Sequence, residues 1–163
     1  MKIRFKGSPE RERELREVLQ YLEAADVGGD YILAEKTDER ISFSAEGEMI
    51  WLFPADIFAV ESFGHDIYIC TERETYVTHT PVYEMEKVLS GHDFLRVSQS
   101  VIVNLRHVLK RSAYLAGRCF ITLENGKEVT VTRTYYKKFK EEMKRFLFFT
   151  ALNARWTGIS LST

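Results

Sequence analysis

Apolar and polar positions along this chain alternate at two periods, and the switches between them mark out many short strands and three helices. In "KIRFK", residues 2–6, the alternation predicts a first strand. Ser8 suits a helix N-cap and Pro9 the first helical position. Leu15, Val18, Leu19 and Leu22 then fall at i, i+3, i+4 and i+7, so a helix with one apolar face is expected to about Ala25, ended by Gly28-Gly29. "YILAEK" and "RISFSAE" read as two strands across a turn at Thr37-Asp38-Glu39. The expected organisation is therefore a small βαββ extension over 1–48, a main domain over 49–147 and a C-terminal tail over 148–163.

From Met49 onward short strands follow closely, with turn residues between them. "MIWLF" stops at Pro54, "IFAVESF" at Gly64-His65-Asp66, and "IYICT" turns at Glu72-Arg73-Glu74 into "TYVTHT". Thr80-Pro81 opens a short helix from Val82 to Leu89, closed by Ser90-Gly91. "FLRVSQSVIVNLRHV" and "VLKRSAYLA" come next. Then "RCFITL" and "EVTVT" flank Asn125-Gly126, a strong hairpin signal. Thr134 is placed to cap a last helix, with Phe139, Met143, Phe146 and Leu147 on one face. The pattern predicts a mainly β fold, α+β overall, rather than a βαβ parallel sheet.

Composition narrows the function. Hydrophobic residues are 45% and charged residues 29%, as in an ordinary soluble domain. No apolar run has the length of a membrane helix, and the N-terminus lacks the apolar middle of a signal peptide. Cys70 and Cys119 stand far apart in no metal-type spacing, which fits reduced thiols in a cytoplasmic protein. The net charge of -1 conceals an asymmetry. Residues 1–93 hold 10 basic against 20 acidic side chains, whereas residues 94–145 hold 12 against 4, a local excess of +8. Such an excess across several elements is the footprint of a polyanion-binding face, or else a solvated surface.

No catalytic motif is present: there is no Gly-rich phosphate loop, HExxH, G-x-S-x-G or Cys-x-x-Cys. His65, His79, His92 and His107 are scattered. The chain is expected not to be an enzyme and to need no cofactor or metal. The basic region instead carries groups suited to nucleic acid. Ser98, Gln99 and Ser100 offer donors and acceptors in a row, and Gln pairs bidentately with an adenine edge. Arg133 stands between Thr132 and Thr134 where a strand hands over to a helix, and Arg is the commonest partner of guanine. The N–H groups of that helix start, with the Thr134 hydroxyl, suit a phosphate, and Lys137 and Lys138 lie within the next turn.

Taken together, "IFAVESFGHDIYICT", "FLRVSQSVIVNLRHV" and "ITLENGKEVTVTRTYYKKFKEEM" resemble the LytTR-type DNA-binding domain of bacterial transcription regulators. The resemblance covers roughly residues 49–147 in order, and "IVNL" and "TVTRTYYKKFK" are its specific parts. It implies an elongated β fold whose loops, rather than a recognition helix, enter successive major grooves of a commonly bent duplex. The implied base contacts are His65, with Asp66 beside it, Gln99 and Arg133. Arg96, Ser98, Ser100, Thr132, Thr134, Lys137 and Lys138 are implied to support them or to touch the backbone. Many members have His-Arg where this chain has Ser98-Gln99, which implies a shifted or weaker base preference there. Asn104 matches the family asparagine and is expected to cap a turn.

Residues 1–48 show no receiver pattern, so the chain resembles standalone members of the family, with no control by phosphorylation within the chain. That resemblance implies double-stranded DNA as partner, with a homodimer and a small restraining membrane protein as further partners. "FLFFTALNARW" either packs on its own domain or contacts a partner. The competing expectation is a protein- or ligand-binding regulatory module that kept the fold without tight DNA recognition.

Overall fold

The computed structural model describes residues 3–6, 12–24, 31–35, 39–155 and 159–162, with side chains for 16–21, 23–24, 39–148 and 150–151. It divides into two compact units, residues 1–38 with 147–163 and residues 39–146. Among the described residues no helix is long and apolar enough to cross a membrane.

The first unit contains β1 (Ile3–Lys6), α1 (Glu12–Ala24) and β2 (Tyr31–Glu35). Strand β2 pairs parallel with β1 and antiparallel with a strand from the chain's end, Ile159–Ser162. Val18 is buried on α1, as its spacing requires. The caps expected at Ser8 and Pro9, the Gly28-Gly29 stop and the turn residues Thr37 and Asp38 lie outside the described residues.

The second unit opens with β3 (Ile41–Ala45) and β4 (Glu48–Leu52), an antiparallel hairpin turning at Glu46-Gly47. The expected strand pair across Thr37–Glu39 is thus replaced: β2 joins the first unit's sheet, and β3 takes β4 as its partner. Glu46 at φ 51° and Gly47 at φ 83° give the turn the backbone hand that a tight hairpin requires. A boundary at residue 48 would cut this hairpin.

Five strands form the central sheet: β5 (Ile57–Phe63), β6 (Asp66–Thr71), β7 (Thr75–Thr78), β8 (Phe94–Arg96) and β9 (Val101–Asn104). Their order is β7-β6-β5-β9-β8, antiparallel throughout. Helix α2 (Val82–Val88) connects β7 to β8. A second antiparallel sheet contains β10 (Val108–Arg111), β11 (Arg118–Leu123) and β12 (Glu128–Thr132). Helix α3 (Arg133–Arg155) follows without a break, and β13 (Ile159–Ser162) is the strand that joins β2.

The central sheet is buried on both faces, which explains why "IFAV" in β5 is a continuous apolar run rather than an alternation. One face places Val60, Ile67, Ile69 and Ile102 against Phe43 of β3 and Met85 and Leu89 of and after α2. The other places Ala59, Leu95, Val97 and Val103 against Cys119, Ile121, Val129, Val131 and Phe139. Met143 and Phe146 pack beside this core, as their spacing predicts, but Leu147 is exposed. Helix α3 runs past the expected domain boundary at residue 147 to Arg155, since no Gly or Pro interrupts it before Gly158.

Asn104 is a fixed point of this unit. It is buried, its Oδ1 accepts from the Arg106 N–H at 3.0 Å, and it caps a short 3-10 turn, Leu105–His107. Its Nδ2 donates to the carbonyls of Pro54 at 3.2 Å and Ile57 at 3.0 Å. The expected cap is present, and the same amide also ties β9 to the entry of β5.

Candidate nucleic-acid interface

Register places the turns carrying the expected DNA contacts at one end of the central sheet. Phe63 faces Asp66 across the β5–β6 turn, Glu61 faces Val101, and Ile67 faces Thr78. The Gly64-His65 turn, the Ser98–Ser100 turn and the exit of β7 therefore emerge together. Two backbone hydrogen bonds stitch the neighbouring chain ends: Ser62 N–H donates to Ser100 O at 2.8 Å, and Thr132 N–H to Val97 O at 3.0 Å. The second joins the β8–β9 turn to the point where β12 becomes α3, so Gln99 and Arg133 are held on adjoining segments.

An open groove of about 640 Å³ lies here, lined by Ser98, Gln99, Ser100, Thr130, Thr132 and Thr134, with Glu61, Phe63 and Glu128. Gln99 is exposed, and neither its backbone N–H nor its side-chain amide makes a hydrogen bond among the described residues. Ser98 is half-buried, and its hydroxyl accepts from the Ser100 N–H at 3.3 Å. Arg133 is exposed at the first residue of α3. Its stem runs past Gly117, whose φ of 78° is open to glycine at little cost. Tyr136 stacks on Tyr114 at 4.1 Å, holding the loop before Gly117 against the helix start. Thr134, expected as the cap, is instead the second residue inside α3; Lys137 and Lys138 are exposed one turn on.

His65 is exposed in a two-residue turn whose first position, Gly64, has φ 63°. It does not line the groove. Asp66, beside it, lies 3.4 Å from His79. Arg96 is not free for a phosphate in this arrangement: its Nε donates to Ser98 O at 3.1 Å, a second nitrogen donates to Gln99 O, and a third faces Glu86 at 3.4 Å.

The groove's one half-buried acid is neutralised. Glu61 accepts from Lys127 Nζ at 2.6 Å. Burial works to lower the Lys127 pKa, but the hydrogen bond to Glu61, with the nearby Cys70 sulfur and Glu61 charge, outweighs it and leaves it raised. Burial pushes the Cys70 thiol up, with Lys127 opposing and Glu61 assisting, so this cysteine is held as a protonated thiol.

A family model for the LytTr DNA-binding domain matches residues 47–144. The chain belongs to the LytTR family. Its relatives include the sensory transduction protein LytT of Bacillus anthracis, 27% identical over 128 residues, which cover 78% of this chain and 49% of that protein. The LytT protein of Bacillus cereus is 29% identical over 105 residues, 64% of this chain and 43% of that one. The transcriptional regulatory protein LytR of Staphylococcus aureus strain N315 is 24% identical over 103 residues, 63% of this chain and 42% of that one. The chain thus spans about half the length of the curated relatives it matches. Among solved structures, the LytTr DNA-binding domain of a putative methyl-accepting/DNA response regulator from Bacillus cereus has the same fold. Its TM-score is 0.58 at 20% identity, over 66% of this chain and 98% of that one.

Within this LytTR domain, the structure brings Ser98, Gln99, Ser100, Thr132 and Thr134, all named from the sequence, to one groove; Arg133 lies between two of them in the chain but does not line it. Sequence reasoning missed Gly117 and the Tyr114–Tyr136 stack, whose one sequence signal is a Gly closing the loop Ser112–Ala116 before an Arg. It also missed the Glu61–Lys127 pair, 66 residues apart, for which no local signal exists.

Proposed function

We propose that this chain is a sequence-specific transcriptional regulator that binds double-stranded DNA through the turns at one end of its central sheet. In this reading Gln99 and Arg133 reach base edges in one major groove, with His65 doing so in a neighbouring one. Thr132, Thr134, Lys137, Lys138 and the free N–H groups at the start of α3 take the phosphates. The observation that carries the reading is the pairing of an exposed, uncommitted Gln99 with an exposed Arg133. They sit on two segments locked together by the Thr132–Val97 hydrogen bond. Gln matches adenine and Arg matches guanine by bidentate hydrogen bonds, and rigid presentation keeps their entropy cost low.

The test is fluorescence anisotropy of the full chain on a duplex it selects from a random pool, against a scrambled duplex, over a salt series. The expected result is a preference for the selected duplex, with a log–log salt slope of about -0.9 per phosphate neutralised. Arg133→Ala is expected to remove about 1–3 kcal/mol of that preference. A uniform loss on both duplexes would reassign Arg133 to a phosphate. Equal, weak binding to every duplex would leave the competing reading, a protein- or ligand-binding module.

A further inference from the structure

We infer that Arg96 is a positioning residue that turns the 98–100 loop donor-side out, and that it makes no phosphate contact of its own. The inference rests on the reading of Gln99 as a base contact and adds how that contact is prepared.

The hydrogen bonds of the loop have a direction. Val101 O receives the N–H groups of Val97 at 2.9 Å and Ser98 at 3.4 Å, and Ser100 O receives Ser62 N–H. The two carbonyls left over, of Ser98 and Gln99, both turn to the Arg96 guanidinium. Every carbonyl of residues 98–100 is thereby committed to a donor of the fold. The Gln99 N–H and carboxamide are left facing outward without a partner among the described residues. The major-groove edge of a purine presents N7 as an acceptor, joined by O6 in guanine, and the phosphates present only acceptors. A loop with outward carbonyls would repel all of these; one with outward donors suits them.

Arginine fits this role because its planar fork serves two carbonyls from adjacent nitrogens, which a lysine ammonium at the same place does not reproduce. Glu86 on α2 holds the far side of the guanidinium at 3.4 Å, and the Arg96 side chain is only 24% exposed. Charge-assisted bonds to carbonyls are roughly twice as strong as neutral ones, so the fork outcompetes water for the two oxygens. Arg96 therefore spends its charge inside the fold. Helix α2 gains through Glu86 a mechanical link to the 98–100 loop.

The experiment compares wild type, Arg96→Lys, Arg96→Ala, Gln99→Ala and the double variant Arg96→Lys with Gln99→Ala. All are full chains, measured on the selected and scrambled duplexes across the salt series. Arg96→Lys keeps the charge, so its scrambled-duplex affinity and salt slope should match wild type while its preference for the selected duplex falls about tenfold. In the Gln99→Ala background the same change should cost no further preference. Amide exchange in the absence of DNA should rise at residues 98–100 in Arg96→Lys and stay unchanged in the core strands, which separates loop release from unfolding.

The inference is overturned if Arg96→Lys retains full preference. It is also overturned if Arg96→Ala weakens both duplexes equally and lowers the salt slope by about 0.9, the signature of a phosphate contact. Additive losses in the double variant would overturn it as well. Should Gln99→Ala itself leave preference intact while the loop amides still loosen in Arg96→Lys, the failure belongs to the base-contact reading, and the clamp stands as a device of the fold.

Discussion

Asn104 offers the sharpest test of how the DNA-binding domain is held together, because one buried amide serves three backbone groups. Replacing it by Ala removes the bonds to Ile57 O, Pro54 O and Arg106 N–H. Pro54 O also accepts the Ile57 N–H, so it loses least. At about 1 kcal/mol per net hydrogen bond, plus part of the desolvation penalty of the groups left behind, the loss comes to about 2–4 kcal/mol. With a urea dependence of about 2 kcal/mol per molar, the unfolding midpoint should fall by about 1–2 M.

Asn104→Asp sharpens the point. The carboxylate still accepts from Arg106 N–H, but its second oxygen is aimed at two carbonyl oxygens in a buried site, so at pH 7 this variant should be less stable than Asn104→Ala. Burial and those carbonyls raise the introduced carboxyl's folded pKa above the unfolded value of about 3.9. Its penalty is therefore absent below that value and grows as the pH rises through it. Urea unfolding followed by circular dichroism at pH 3.5, 5 and 7 reads both effects, each variant referred to wild type at the same pH. An Ala variant less than about 1 kcal/mol below wild type, or an Asp variant as stable as the Ala variant at pH 7, would refute the reasoning.

Two further outcomes follow from the same geometry. Asp66 carries a carboxylate beside His65 at the sheet end proposed to meet DNA, with His79 3.4 Å away as its ion partner among the described residues. Asp66→Asn should tighten binding to selected and scrambled duplexes alike by roughly two- to fivefold at low salt, with the gain fading as salt rises. A loss of preference at one base pair would instead make Asp66 a reader of cytosine. Separately, the folded state holds the Cys70 proton above the thiol's ordinary 9.0 and the Lys127 proton above 10.5. The unfolded chain releases both first, so stability should decline from about pH 9 and again above 10.5, and Cys70→Ala should flatten the first decline. Urea midpoints at pH 7.5, 9 and 10 check this, and an identical pH 9 to 10 decline in the variant would refute it.

Much of the second unit was legible because its signals are local. Turn residues between short apolar runs marked the strands, Asn125-Gly126 marked the β11–β12 hairpin, and Asn104 announced a cap. What escaped was set by partners distant in sequence or by an atypical residue. The β3–β4 turn carries Glu46 at a positive φ, a conformation that side chains other than Gly, Asn and Asp seldom adopt, so it gave no turn signal. The Nδ2 half of Asn104 acts on carbonyls 47 and 50 residues away. For the candidate site, residue type singled out Gln99 and Arg133 as candidates, but only the structure shows their segments joined, by the Thr132–Val97 hydrogen bond. Arg96 was expected from the resemblance to support the base contacts or touch the backbone; only the structure shows that its partners are loop carbonyls and Glu86.

The same correction applies to the charge count that first suggested a polyanion. Of the basic residues in 94–145, Arg96, Arg106 and Lys127 each pair with an acid from outside that stretch: Glu86, Asp93 and Glu61. The excess open to a polyanion is therefore smaller by three than the +8 of the sequence. What is lost in total is recovered in placement. Lys137, Lys138 and Lys140 are exposed and without ion pairs among the described residues, on the first two turns of α3. The free N–H groups of a helix start add positive potential beside them, with no acid in its first turn. In the proposed binding mode, a phosphate at that spot would lie next to Arg133 and, through the Thr132–Val97 stitch, near Gln99. The pairs that consume charge elsewhere, Arg96 on the loop and Lys127 on Glu61, are the ones that fix the loop and quiet the groove's half-buried acid. In that binding mode, a focused cation cluster beside Gln99 and Arg133, whose backbone segments are stitched together, would favour one register, which a larger but diffuse charge would not.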